Sequence, residues 1–535
     1  MSLDIISLGN NPVFDGTNLS ITAQPGPLGG DGLVNVGHSS AINMDLGTVT
    51  VKGNLQDLDA GKNALTSNIQ AINVNSTSGT AVWTLRGNVG TLHIAHGLRG
   101  AEIDILVNGA KLGALNVGGS LLGGTMGHAG TIESTGGVIG QVNIGRDMRG
   151  GAAADTGDIQ CLGGDIAGVK IGGSLVGGTA SYSGRIIATA GSIGPVKIGG
   201  NLESNGPVTG TLLTDSSLIY AQLGGNNDGP VASITSISIG GSVVGVGNNA
   251  NTQTWADGSI GPVKIGRSLL GGPGNDSGEI QGAGGIASVV VGGSLVGGAG
   301  MNSGSVQSLH GDIGRVKIGG SLLEADGDFS ATIHSDGKLG DVKIGGDVIS
   351  GSVGSSSASI ESGLPMGAVQ IAGNLIGNST YFVVIEGETT ASTGQLTIQS
   401  LTVGGRVEDS SLGSLSQDAR IGAVKVGGDW IASNLFAGID RGADKAYGTA
   451  DDKVSAYGAD NPALFSKIAS ITIGGQVAGT VGGTDHYGFV SQQIGALQIH
   501  GVSVPLKAGR GNDTDVANTH FILGATRDVT VHEVA

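Results

Sequence analysis

The sequence has one cysteine, Cys161, in 535 residues. That excludes a disulfide framework within the chain and any zinc site built from several thiolates, and it leaves Cys161 as a small apolar filler. Aromatic residues make up only 3%. Large globular cores lean on Phe, Tyr and Trp, so this core has to be thin and built from Ile, Val and Leu. Basic residues are outnumbered, 26 Lys and Arg against 43 Asp and Glu, for a formal charge of −17. Binding to nucleic acid needs phosphates neutralised by Lys and Arg, and this balance argues against it. An acidic surface instead keeps a long chain soluble and favours divalent cations. No apolar run approaches the roughly 18 residues of a membrane-spanning helix. The opening MSLDIISLGN has no basic region and no long apolar segment, so no secretory leader is read there. A cytosolic chain and one whose leader lies upstream both fit.

Glycine is abundant, 105 residues, without the every-third-residue period of collagen. Hydrophobic residues reach 39% and recur in phase, which a disordered linker would not show. The phase is set by one phrase, IAGVKIGGSLVGG, from Ile166. It returns as IGPVKIGGNLE from Ile193, IGPVKIGRSLLGG from Ile260, IASVVVGGSLVGG from Ile286 and IGRVKIGGSLLE from Ile313. Seventeen copies, good or degraded, begin at Leu46, Ile69, Val89, Leu112, Ile139, Ile166, Ile193, Ile234, Ile260, Ile286, Ile313, Leu339, Met366, Ile398, Ile421, Ile468 and Ile494. Most spacings are 26 or 27 residues. A fixed period in this range marks a stacked architecture.

Within one period the residues predict three short strands separated by glycine corners. Val169-Lys170-Ile171 alternates inward and outward, Ser174-Leu175-Val176 follows the Gly172-Gly173 corner, and Gly184-Arg185-Ile186 makes the third. Helices are nearly excluded, because glycine falls inside every window and no apolar 3.6-residue period persists. The fold class predicted is all-β, a single-stranded parallel β-helix of about seventeen coils. Coils stacked at ~4.8 Å predict a rod of roughly 80 Å. Variable spacing suits a right-handed helix better than a strict left-handed prism. Residues 1–45, irregular and rich in turn formers, read as an N-terminal cap, 46–500 as the solenoid and 501–535 as a C-terminal cap. Insertions are expected near 203–233, 246–258, 378–395 and 430–467, with Trp255 and Trp430 in or beside them.

Two ladders follow from the repeat. Lys170, Lys197, Lys264, Lys317, Lys343 and Lys425 share the outward slot of the first strand. Stacked like charges invite a polyanionic ligand or acidic neighbours such as Asp341, or else form a solvated face that resists sideways aggregation. Small polar residues after Gly-Gly, among them Ser120, Asp147, Ser174, Asn201 and Asp347, read as turn residues bonding their own backbone.

The long insertion holds GIDRGADKAYGTADD, with Asp440, Asp444, Asp451 and Asp452. Against the twelve-residue calcium loop, Asp440, Asp444 and Asp451 take positions 1, 5 and 12, but Gly442 and Lys445 replace the acid at 3 and the glycine at 6. Two readings stand, a calcium loop of another geometry and a solvated loop. The stretch GRGNDTD, 509–515, is similar to the nonapeptides of calcium-binding rolls but occurs once, where rolls need an array. Histidines are scattered, His93 and His96 being the only close pair, and read as surface residues. No nucleophile elbow, phosphate loop or HExxH motif is present. Parallel β-helices often act on polysaccharides, yet the ordered motifs of pectin hydrolases are missing: NDTD follows Asp451-Asp452, and there is no Gly-His-Gly.

The repeat phrase, GADKAYGTADD and the ending DHYGFVSQQIGALQIHGVSVPLKAGRGND…RDVTVHEV together resemble the long glycine-rich repeat proteins of planctomycete-like bacteria. The likeness runs from about Leu112. It implies a secreted or surface β-solenoid, often part of a larger protein, and carries over no catalytic residues. The function expected is a non-enzymatic structural or adhesive module of the cell surface or exterior. Its partners would be polysaccharide or other surface proteins, with end-to-end or lateral self-association. The alternative is a carbohydrate-active or carbohydrate-binding β-helix walled by the insertions, and a third is a calcium-dependent module using the Asp440–Asp452 loop.

Overall fold

A computed structural model describes residues 2–8, 12–27, 29–204, 218–221, 232–246, 253–351, 358–389, 394–482, 485–513 and 522–535. The chain is all-β and parallel-dominated, with no α-helix among the described residues. It divides into two compact units, Met1–Arg267 with Gly272–Gly284, and Ser268–Gly271 with Gly285–Ala535.

Strand formation follows from the period-2 pattern. In Ile313–Ile318, Ile313, Val316 and Ile318 are buried while Arg315 and Lys317 face out. Parallel pairing then stacks like on like. In the first unit Leu46, Ile69, Val89, Leu112, Ile139, Ile166, Ile193, Ile234 and Ile260 each lie beside the next. In the second unit Ile286, Ile313, Leu339, Met366, Ile398, Ile421, Ile468 and Ile494 do the same. These are the first apolar residues of successive repeats, so the register is the one that keeps every apolar side chain inside; a one-residue slip would turn each outward. A second ladder runs through Leu121–Leu122, Met148–Arg149 and Leu175–Val176. A third runs through Ile132–Ser134, Ile159–Cys161 and Ile186–Ala188 in the first unit. In the second it runs through Val306–Ser308, Ile333–Ser335, Ser359–Ser362, Val383–Gly387, Ser410–Ser414 and Asn434–Ala437. The core between them is thin and aliphatic, and Cys161 sits in it fully buried, its thiol against the Gly137 carbonyl.

The corners are fixed by side chains that reach across repeats. Asp147 Oδ1 accepts the Ser174 N–H at 2.9 Å, Ser174 Oγ the Asn201 N–H at 3.0 Å, and Asn201 Oδ1 the Ser242 N–H at 2.9 Å. Ser294, Ser321, Asp347 and Asn374 continue the pattern in the second unit. The small polar ladder is therefore a turn device, but its acceptors serve the next repeat rather than their own backbone. Where the cap is Asp or Asn, glycine precedes the capped residue. At Gly173 a Cβ would come 2.0 Å from Asp147 Oδ1, the oxygen that caps Ser174.

Several segments differ from expectation. The leader holds strands at Ser2–Ser7, Thr17–Ile21 and Val34–Ile42, which pair in parallel with one another and with Leu46–Gly61. Alternation in VNVGHSSAI is enough to make a strand despite the turn formers around it. Of the expected insertions, 203–233 lies largely outside the described residues, as do 247–252 and 390–393. The described parts of these three carry third-ladder strands, Leu218–Ala221, Gln253–Ala256 and Val383–Gly387. Trp430 is not in a loop: it stands between Val407 and Val477 in the second ladder, wholly buried, its indole 5.0 Å from the Phe489 ring. Near the C-terminus, Val502–Val504 pairs antiparallel with Leu497–Ile499 and occupies the edge that a further parallel strand would otherwise take.

Candidate functional site

The third ladder carries one column of mid-strand residues in the second unit, Gln307, His334, Glu361, Glu386, Gly413 and Phe436, each beside the next; His334, Glu361 and Glu386 are partly exposed, while Gln307, Gly413 and Phe436 are buried. The slot is the middle residue of an apolar-x-small triplet, so flanking residues such as Ile333 and Ser335 are buried while the middle one points away from the core. His334 Nδ1 lies 3.4 Å from Glu361 Oε2 and its Nε2 lies 3.0 Å from Asp336 Oδ1. The hydrogen bond to Glu361, ahead of the opposing cost of burial, raises the His334 pKa.

Glu386 is the most perturbed member. Burial first, then the hydrogen bond it shares with Glu388 and the charges of Glu388 and Glu361, push its carboxyl up to about 8, against the pull of Arg441. Glu388 is held from the other side: Oε1 accepts the Leu415 N–H at 2.9 Å, and Oε2 accepts the hydroxyls of Ser414 and Ser416. Burial and the neighbouring Glu388 thus favour the protonated form of Glu386.

The column ends against the long insertion. Phe436 covers Gly413, where a Cβ would come 2.9 Å from its ring, and Tyr447 stacks on Phe436 at 4.6 Å between centroids and an 11° tilt. Gly448 accepts the Thr530 hydroxyl at 2.6 Å, and Asp452 Oδ2 lies 3.0 Å from His532 Nδ1. The insertion is therefore packed down as a wall rather than solvated throughout.

Its four aspartates do not converge. Asp440 pairs with Lys453 at 3.7 Å, and Asp444 accepts the Ala446 N–H. Asp451 is exposed and accepts the Thr449 hydroxyl and the N–H groups of Ala443 and Asp444, which hold its pKa down to about 2. Asp452 is buried, taking the Gly448 and Thr449 N–H groups beside His532, with burial as the main influence raising its pKa. Among the described residues no group of three or more His, Cys, Asp or Glu is arranged to hold a metal ion. The 509–515 stretch ends outside the described residues.

The six lysines are all exposed, but they do not form one continuous file. Lys170 lies beside Lys197 and Lys317 beside Lys343, while Ser238, Gln370 and Thr402 interrupt the rest. None of the six makes an ion pair among the described residues, and Asp341 faces Arg315, at 3.7 Å, instead of a lysine.

No family model, curated protein or solved structure matches the chain.

Recurring letters in the sequence do not reveal the column. This slot carries Gln, His, Glu, Glu, Gly and Phe in turn, and its departure from the repeat was the available signal.

Proposed function

We propose that the chain is a non-enzymatic binding and structural module of the cell surface or exterior, a right-handed β-solenoid of about seventeen coils with three strands each. In this reading the coils supply a stiff support, and the outward column from Gln307 to Glu386, walled by the 439–458 loop, supplies recognition. The observation that carries it is the contrast between faces. The corners and the first ladder repeat small or lysine side chains, whereas this column gathers His334, Glu361 and Glu386 beside a packed wall. Such a file of donors and acceptors at strand spacing matches the repeating hydroxyls of a polysaccharide. The likeness to secreted glycine-rich repeat proteins agrees with this placement. Retention of the intact chain on immobilised polysaccharides, lost on Glu361→Ala with Glu386→Ala, is the expected result; retention unchanged by the pair would remove the column from the account.

A second reading is favoured by Glu386. A carboxyl whose protonated form is favoured by burial can give a proton to a glycosidic oxygen, so the same face could cleave the chain that it holds. Release of new reducing or unsaturated ends, abolished by Glu386→Gln, would establish it. Intact polysaccharide after long incubation would leave the binding role alone.

A further inference from the structure

In the first unit the run of corner hydrogen bonds starts at Ser120, because the corners ahead of it lie inside the continuous strands Asn68–Ser78 and Asn88–Arg99. Ser120 Oγ reaches the Asp147 N–H at 3.4 Å, and Asp147 and Ser174 serve the next corners in turn. The corner residue ahead of Ser120 is Gly97, which pairs with Ser76 on one side while the Leu98 N–H donates to the Ser120 carbonyl on the other. Gly97 has no side chain to offer, and the Ser120 N–H has no acceptor among the described residues.

A concavity of about 390 Å³ opens at this spot, with Gly97, Ser120, His96, Arg99 and Arg146 in its lining. The side chains of His96, Arg99 and Arg146 are exposed, and none forms an ion pair among the described residues, in a chain of net charge −17. Three other arginines of the unit are paired: Arg86 with Asp59, Arg149 with Asp147, and Arg185 with Asp155 and Asp158. Thr77, only 1% exposed, also lines the concavity, and its hydroxyl has no hydrogen-bond partner.

We propose that this concavity is an oxyanion site for a tetrahedral sulfate or phosphate group. One ligand oxygen takes the Ser120 N–H, in the place where a side-chain oxygen sits at the neighbouring corners. The remaining oxygens face Arg99 and Arg146, whose planar forks suit tetrahedral oxyanions, with His96 beside them. A backbone N–H in a glycine corner, with cationic side chains around the same concavity, supplies the parts from which anion cradles are made. Two sources carry this group, a free inorganic anion and a sulfate ester on a polysaccharide. The site lies in the first unit and does not rest on the acidic column of the second.

Calorimetric titration of the intact chain with inorganic phosphate, inorganic sulfate and a sulfated disaccharide tests the proposal. Saturable binding of at least one is expected, stronger at low salt. Arg99→Ala and Arg146→Ala should each weaken it about tenfold, the usual loss for a charge-assisted hydrogen bond. Both side chains are exposed, so these variants keep the fold. Gly97→Ser supplies the missing hydroxyl, its Cβ coming 3.0 Å from the Ser120 carbonyl oxygen, which must give by a few tenths of an ångström, and should abolish binding while the circular dichroism spectrum stays that of the parent. Preference for the disaccharide assigns the glycan source, and equal or better binding of the inorganic ions assigns the free anion. No saturable binding of any of the three at millimolar concentration, or binding that both arginine variants leave unchanged, overturns the site.

Discussion

A single corner residue shows how the repeat is held. Asp147 gives its oxygen to the Ser174 N–H, and Gly173 leaves the space through which that oxygen passes. Asp147→Ala is expected to cost about 1 kcal/mol, the worth of one capping hydrogen bond. Gly173→Ala should cost more, because its methyl meets the same oxygen. The two changes together should cost less than their sum, since removing the carboxylate frees the space; a double-mutant cycle by chemical denaturation reads the difference. Strict additivity would mean that the carboxylate does not fill that space. Small polar residues after Gly-Gly were legible as corner formers from their chemistry. Their partner was not, because it lies a full repeat away and depends on side-chain direction. Glu386 gives a second expectation at this scale. Its carboxyl is raised in the folded chain, so the native state holds a proton that the unfolded state releases. Stability should therefore fall as pH rises between about 4.5 and 8. Glu386→Gln should flatten that fall and raise stability at pH 8 by roughly 1–3 kcal/mol, measured by urea unfolding across the pH range.

The long insertion is the element where sequence and structure part furthest. Its Asp and Gly content suggests an oxygen-rich cation loop, yet Tyr447 and Asp452 turn inward while Asp444 and Asp451 tie the loop to its own N–H groups. Phe436 stands just ahead of the loop, but Thr530 and His532, which also anchor it, come from a strand remote in sequence that local spacing could not reveal. Tyr447→Ala should destabilise the second unit by about 3 kcal/mol, the scale of an aromatic lost from a packed cluster. EDTA should leave the melting temperature unchanged, because each carboxylate already has protein partners; a drop on chelation would point to a cation in the loop. Strands were the legible elements. Val169-Lys170-Ile171 and its kin alternate so regularly that burial follows the letters, and even the weaker pattern at Val34–Ile42 pairs in register.

At the scale of the whole molecule, each unit repeats one register, and the apolar residue that opens each phrase marks it. That much was readable because parallel stacking places equivalent letters side by side. The column that departs from the repeat was not, since its residues share no identity and come together only once the coils are stacked. The lysine pairs act here as well. Lys170 with Lys197, and Lys317 with Lys343, set like charges side by side on an exposed face. Replacing these four by Val should promote sideways association, seen as growing light scattering, with the monomer signal restored by Glu in the same positions. One column of the third ladder is proposed to recognise polysaccharide. The most direct measurement is a glycan array probed with the intact chain, with Glu361→Ala/Glu386→Ala, and with Asp440→Ala/Asp444→Ala. Selective binding that the glutamate pair loses and the exposed aspartate pair keeps is the predicted result. Binding equal in all three chains, or lost only with the aspartates, would contradict it.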